Sequence, residues 1–203
     1  SNPGASTPTI WARTLPSGWA SQDVGQPATA GQSLFPHSAF RIPGSGDGIW
    51  ESDVSDQFQL AFTALQGDGT IIARLLTAQN SDSDSGIMIR NSADPGSAYA
   101  MVSVSAGTVY FMSRTSFGAP SIVAGGGPDA LQLPAWLKLT RQGSSFSAYV
   151  SPDGTNWTQI NDDSGNPISV SAPMSSNVYA GLFASAAYDG SASAATFDAV
   201  TAN

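Results

Sequence analysis

From Phe58 to Arg114 the chain alternates apolar and polar residues with a period of two. Phe58, Leu60, Phe62 and Ala64 fall on one side, and Gln57, Gln59, Ala61 and Thr63 on the other. Such alternation between turn signals predicts half-buried β-strands. Gly67-Asp68-Gly69 turns the chain, after which Ile71, Ala73 and Leu75 oppose Ile72, Arg74 and Leu76. Beyond the polar stretch from Asn80 to Ser85, Ile87 and Ile89 oppose Met88 and Arg90. After Asp94-Pro95-Gly96, Ala98, Ala100, Val102 and Val104 oppose Tyr99, Met101 and Ser103. Ala106-Gly107 predicts a tight hairpin leading to Val109 and Phe111, which oppose Tyr110, Met112 and Arg114.

The stretch from Ser116 to Leu133 is rich in Gly, Ala and Pro and is a long connection of the kind that carries function in compact domains. Strands resume at Trp136–Arg141 and Ser145–Val150, and the last are Val178–Phe183 and Ala194–Val200. No segment sustains a helical period. Many short strands at near-regular spacing predict an all-β fold, a two-sheet antiparallel jelly-roll β-sandwich forming a single domain. Its expected span is 9–203, with residues 1–8 (Ser-Asn-Pro-Gly-Ala-Ser-Thr-Pro) as a flexible linker or processed N-terminus joining it to other domains of a larger chain.

Composition narrows the function classes. Charged residues make up 11% of the chain, with fifteen acidic against seven basic side chains and a net charge of −8. Ser, Thr, Asn, Gln and Gly must therefore cover the surface, as suits a secreted or cell-surface binding module. The basic footprint that nucleic acid requires is missing. No run is long and apolar enough to span a bilayer. With no cysteine, thiol chemistry, disulfides and zinc-thiolate sites are unavailable.

Several motifs carry a family resemblance. They are Trp19 with Asp23-Val24-Gly25, Gly44-Ser45-Gly46-Asp47 with Ile49-Trp50 and Asp53, and Gly67-Asp68-Gly69 with Ile71 and Ala73-Arg74. They continue with Gly86-Ile87-Met88-Ile89-Arg90, Trp136-Leu137-Lys138-Leu139 with Arg141, Ser151-Pro152-Asp153-Gly154 with Trp157, and Phe197-Asp198 with Val200. From about Trp11 onward the chain resembles the concanavalin-A-like, laminin-G-like jelly-roll domains of the regulation-of-enolase-like type, found in secreted bacterial proteins and polysaccharide-degrading enzymes. The resemblance implies two antiparallel sheets, one concave, and a carbohydrate-binding or accessory role. The chain departs from that family at Asn80–Ser85, where the family more often has a Trp-Ala-Lys stretch.

Alternation puts Arg74, Met88, Arg90, Tyr99, Met101, Tyr110, Met112 and Arg114 on the same side of their strands. If those strands are neighbours, Arg74, Arg90 and Arg114 supply bidentate forks for hydroxyl pairs or carboxylates. Tyr99 and Tyr110 supply flat apolar platforms with polar edges, and Trp50, beside Gly46-Asp47-Gly48, either lines a loop-rim pocket or fills the core. Together they predict a glycan site, with a uronic or sulfated sugar matching the positive charge best. The competing reading places the methionines in a core and pairs the arginines internally with Asp47, Asp53 or Asp68.

Oxygen side chains at alternate positions from Asn80 to Ser85 point to structural calcium, with Asp82 and Asp84 as ligands. The glycine comes one place late and no glutamate closes the loop, so an ordinary solvated loop competes. Asp23 and Asp198 are a second candidate pair for an ion, or caps of strand ends. Catalysis has little support, since a glycosidase needs two placed carboxyls and the chain has one glutamate, Glu51. No cofactor is required. The expected function is a non-catalytic carbohydrate-binding module, with a polysaccharide hydrolase or lyase, or a structural adhesion domain, as the alternatives.

Overall fold

The computed structural model describes residues 14–44, 46–79, 83–127, 130–191 and 193–203. The expected linker over 1–8, and Asp82 of the expected calcium pair, lie outside them. Strands are numbered in chain order. The first sheet runs, edge to edge, β1 (Trp19–Val24), β3 (Phe58–Gln66), β13 (Asn177–Ala184), β5 (Ser85–Arg90), β6 (Tyr99–Ser105), β7 (Thr108–Arg114) and β8 (Ile122–Gly126). The second runs β11 (Thr158–Gln159), β10 (Ser145–Ser151), β9 (Ala135–Gln142), β4 (Gly69–Ala78), β14 (Ser193–Ala202) and β2 (Phe40–Gly44), with β12 (Ser169–Ser171) also pairing β10. Every pairing is antiparallel, as the jelly-roll expectation requires.

The turns follow their residues. Ala106 and Gly107 both have positive φ (50° and 79°), and Ser105 faces Thr108 across them. Two consecutive left-handed residues make the primed turn whose twist matches the flanking strands. Gly67-Asp68-Gly69 does something else: β3 belongs to the first sheet and β4 to the second, so this turn carries the chain across the sandwich.

Two apolar layers form, not one. Between the sheets, Ile87, Ile89, Val102, Phe111 and Leu182 of the first meet Ile71, Leu75, Leu137, Leu139, Phe146 and Phe197 of the second. A second layer lies on the far face of the first sheet, where Phe58, Leu60, Met88, Tyr99, Met101, Met112 and Phe183 pack with Val24 and Ile49. Loop residues therefore cover part of that face. All six residues of β5 are buried, as expected of a strand enclosed on both sides. Gly86, midway along the face between Asp84 and Met88, has no room for a side chain, since a Cβ there would lie 2.0 Å from the Val102 carbonyl oxygen.

Candidate functional site

The covered face of the first sheet has two ends with different chemistry. At one end sit Arg90, Tyr99 and Arg114, each with no exposed surface. Alternation places them together as expected, but they do not face water. The Arg114 fork holds Asp56 with two hydrogen bonds of 2.8 and 2.7 Å, and Arg90 approaches the same carboxylate at 3.6 Å. Arg114 also donates to the carbonyls of Asp53 (2.8 Å), Pro95 (3.1 Å) and Ala119 (2.8 Å) and to the Ser121 hydroxyl (2.9 Å). Arg90 donates to the carbonyls of Ser92 and Asp94, both at 2.6 Å, and its guanidinium stands over the Phe58 ring. The Tyr99 hydroxyl bonds Ser121 at 2.8 Å.

One arginine thus ties three loops, containing residues 50–56, 94–97 and 115–121, onto the sheet. Burial pushes the Asp56 carboxyl up, while the Arg114 hydrogen bonds and the charge of Arg90 pull it back. Burial also lowers Arg90 to about 10. Arg90, Arg114 and Tyr99 are therefore a sealed clamp and not the ligand-facing groups expected from sequence. Their acid is Asp56, which the sequence reading did not single out.

Arg74 is separated from them altogether. It lies on the solvent side of the second sheet, where β14 pairs Asp198 opposite it. A bidentate pair of 2.7 and 2.6 Å joins the two, and the guanidinium covers the Trp136 ring at 5.5 Å. The turn at 67–69 explains the separation, because parity counted through it passes from one sheet to the other. Asp23 accepts instead from the Gly31 amide at 3.0 Å, so Asp23 and Asp198 have separate partners.

The other end of the same face is open. A cleft of about 210 Å³ is lined by Ile49, Trp50, Glu51, Asp84, Ser105, Tyr110, Met112 and Val123. Trp50 is 42% exposed on the rim, held by its indole N–H bonded to the Asp47 carbonyl. Tyr110 and Met112 rise from β7, and Asp84 enters just before β5. Asp84 is 5% exposed, with no basic residue in the lining. Burial pushes its carboxyl up to about 7. The Ser103 hydroxyl beside it eases that shift in part. Among the described residues no three of His, Cys, Asp and Glu gather as a metal-binding group.

A wider hollow runs along β1 between Trp19 and Ser33, but no charged side chain lines it. A cleft that combines aromatic lining with a perturbed acid lacking a counter-charge among the described residues is the stronger candidate site. Two of its groups, Trp50 and Tyr110, were visible in the sequence. Asp84 was visible only as a calcium ligand, and Glu51 was not picked out for this site.

No model of a known protein family and no curated protein sequence matches this chain. Solved structures do. A functionally unknown protein from Saccharomyces cerevisiae superposes with a TM-score of 0.67 at 14% identity, over 92% of this chain and 96% of that one. The carbohydrate-binding module CBM66 from Bacillus subtilis gives 0.58 at 16% identity, over 92% and 95%. LamAcat from Zobellia galactanivorans gives 0.59 at 9% identity, over 96% and 94%. The likeness is one of fold. It makes the chain a two-sheet jelly-roll sandwich, matched nearly end to end by all three of these structures.

Proposed function

We propose that this protein is a carbohydrate-binding domain whose ligand enters the cleft between Trp50, Tyr110 and Asp84. One observation carries the reading. Asp84 is an almost fully buried acid without a counter-charge among the described residues, placed at an opening beside exposed aromatic surface. Such a group destabilises the fold, and acids in that position are enriched at functional sites. Sugar rings present an apolar face and a fringe of hydroxyls. Trp50 and Tyr110 offer the stacking surface, and Asp84, Glu51 and Ser105 offer acceptors. A neighbour named as a carbohydrate-binding module supports the reading at the level of the fold. The sparse charge supports a secreted or cell-surface setting, and the family resemblance supports a bacterial, multidomain parent.

Trp50→Ala and Tyr110→Ala should each weaken glycan binding at least tenfold in calorimetric titration while leaving the unfolding free energy from urea titration within about 1 kcal/mol of the parent, as partly exposed groups do. Wild-type affinity in both variants would remove the cleft from consideration. A second reading, a polysaccharide hydrolase, draws on Glu51 and Asp84 lining one cleft with Asp84 raised toward neutrality, as a general acid would be. Reducing-end release that disappears in both Glu51→Gln and Asp84→Asn would favour it.

A further inference from the structure

We infer that the Asp84 cleft selects a protonated amino sugar over neutral and acidic sugars. This rests on the reading of the cleft as a glycan site and adds the ligand's charge. The sequence alone suggests the opposite, a uronic or sulfated ligand met by arginines. The structure removes those arginines. Arg90 and Arg114 are spent on Asp56, and Arg74 on Asp198. Lys138 lies over Tyr149 and Trp157, and Arg141 bonds the carbonyls of Gly143, Met174 and Ser175. What remains at the opening is Asp84 and Glu51, with no basic residue among the described residues that line it.

Three further features fit an ammonium group. An ionised Asp84 has no counter-charge among the described residues, and a bound cation would supply it, whereas a neutral hydroxyl satisfies a lone pair but leaves the charge uncompensated. Trp50 and Tyr110 line the cleft, and aromatic rings attract cations through their quadrupoles. The net charge of −8 draws cations toward the molecule and repels anionic polymers. At about 210 Å³, the cleft lies below the range typical of drug-sized ligands and suits a single sugar ring.

The test is a titration of the whole chain with three trimers of matched size: glucosamine, N-acetylglucosamine and galacturonate. Amide chemical shifts locate the site. The glucosamine trimer should bind at least tenfold tighter than its N-acetylated form, the galacturonate trimer should not saturate, and shifts should centre on Ser105, Tyr110 and the Trp50 loop. Asp84→Asn should bring the two glucosamine-based trimers within about twofold of each other, and Glu51→Gln should narrow the gap less. Equal affinity for amine and N-acetyl forms in the parent, or an amine preference that survives Asp84→Asn, overturns the inference while leaving a glycan cleft in place. Amine-driven shifts spread over other acidic surfaces and unaffected by Trp50→Ala overturn it as well. Saturation by none of these or any other glycan overturns the cleft reading together with the inference.

Discussion

Asp56→Ala should cost about 3–5 kcal/mol of stability, the usual result of stripping one partner from a fully buried ion pair. The reason lies in what stays behind. Arg90 and Arg114 have no exposed surface and would share a closed space without a carboxylate between them. Like charges then repel where water cannot screen them. On a domain of this size the loss lowers the melting temperature by roughly 10 °C, at about 2–4 °C per kcal/mol. Urea unfolding measures it as a lower midpoint with an unchanged slope. A loss under about 1 kcal/mol would mean that the loops lift and let the guanidinium groups reach water, and the clamp would then not be what holds them.

Arg114→Met would also be costly, for a different reason. It leaves the carbonyls of Asp53, Pro95 and Ala119 without this donor and releases three loops at once. Because those loops adjoin the Trp50 segment, the clamp and the cleft form one construction. A sealed end of the sheet face fixes the loops that shape the open end. The main-chain pairing of Ser52 with Ser121 and of Ser121 with Asp53 runs between the two ends.

The strand pattern was legible because burial on one side of a strand imposes a period of two. So was the grouping of Met88, Arg90, Tyr99, Met101, Met112 and Arg114, which do share one face. What periodicity cannot report is what covers a face. Here the cover comes from loops, and its acid, Asp56 in Ser55-Asp56-Gln57, has the look of any turn aspartate. Arg74 was misplaced for a topological reason, since the turn at Gly67-Asp68-Gly69 reads the same whether it joins strands within a sheet or between sheets. Trp50 and Tyr110 were legible as aromatics at the right places. The role of Asp84 was not, because an acid in a Ser/Asp-rich stretch signals a solvated or metal-binding loop. Only the fold shows that this residue turns inward beside Ser103.

Asp84→Asn should stabilise the protein at pH 8 by up to about 4 kcal/mol and change it little at pH 4. Burial holds this carboxyl at about 7, against an ordinary value of 3.8. Between those values the folded state keeps a proton that the unfolded state has released, so stability falls as pH rises through that window and levels off above it. Three units correspond to roughly 4 kcal/mol at 1.36 kcal/mol each, an upper figure for a group at a cleft floor. Other acids contribute to the parent's profile. Asp153, Asp162 and Asp198 are held below the usual range by hydrogen bonds and act at lower pH, with the opposite sign. Subtracting the variant's urea midpoints from the parent's at each pH isolates Asp84. A difference that does not grow between pH 4 and pH 8 would show that the carboxyl is already solvated or paired. A growing difference would show a residue that costs the fold stability at neutral pH, the trade expected where an acid is kept for a ligand. The same linkage couples proton binding at Asp84 to ligand binding. A cation that pairs with ionised Asp84 must lower its affinity for the proton, so near pH 6 binding of the glucosamine trimer should release protons, read as a binding enthalpy that varies with the ionisation heat of the buffer. The neutral N-acetylated trimer should show a smaller dependence, and Asp84→Asn none from this site.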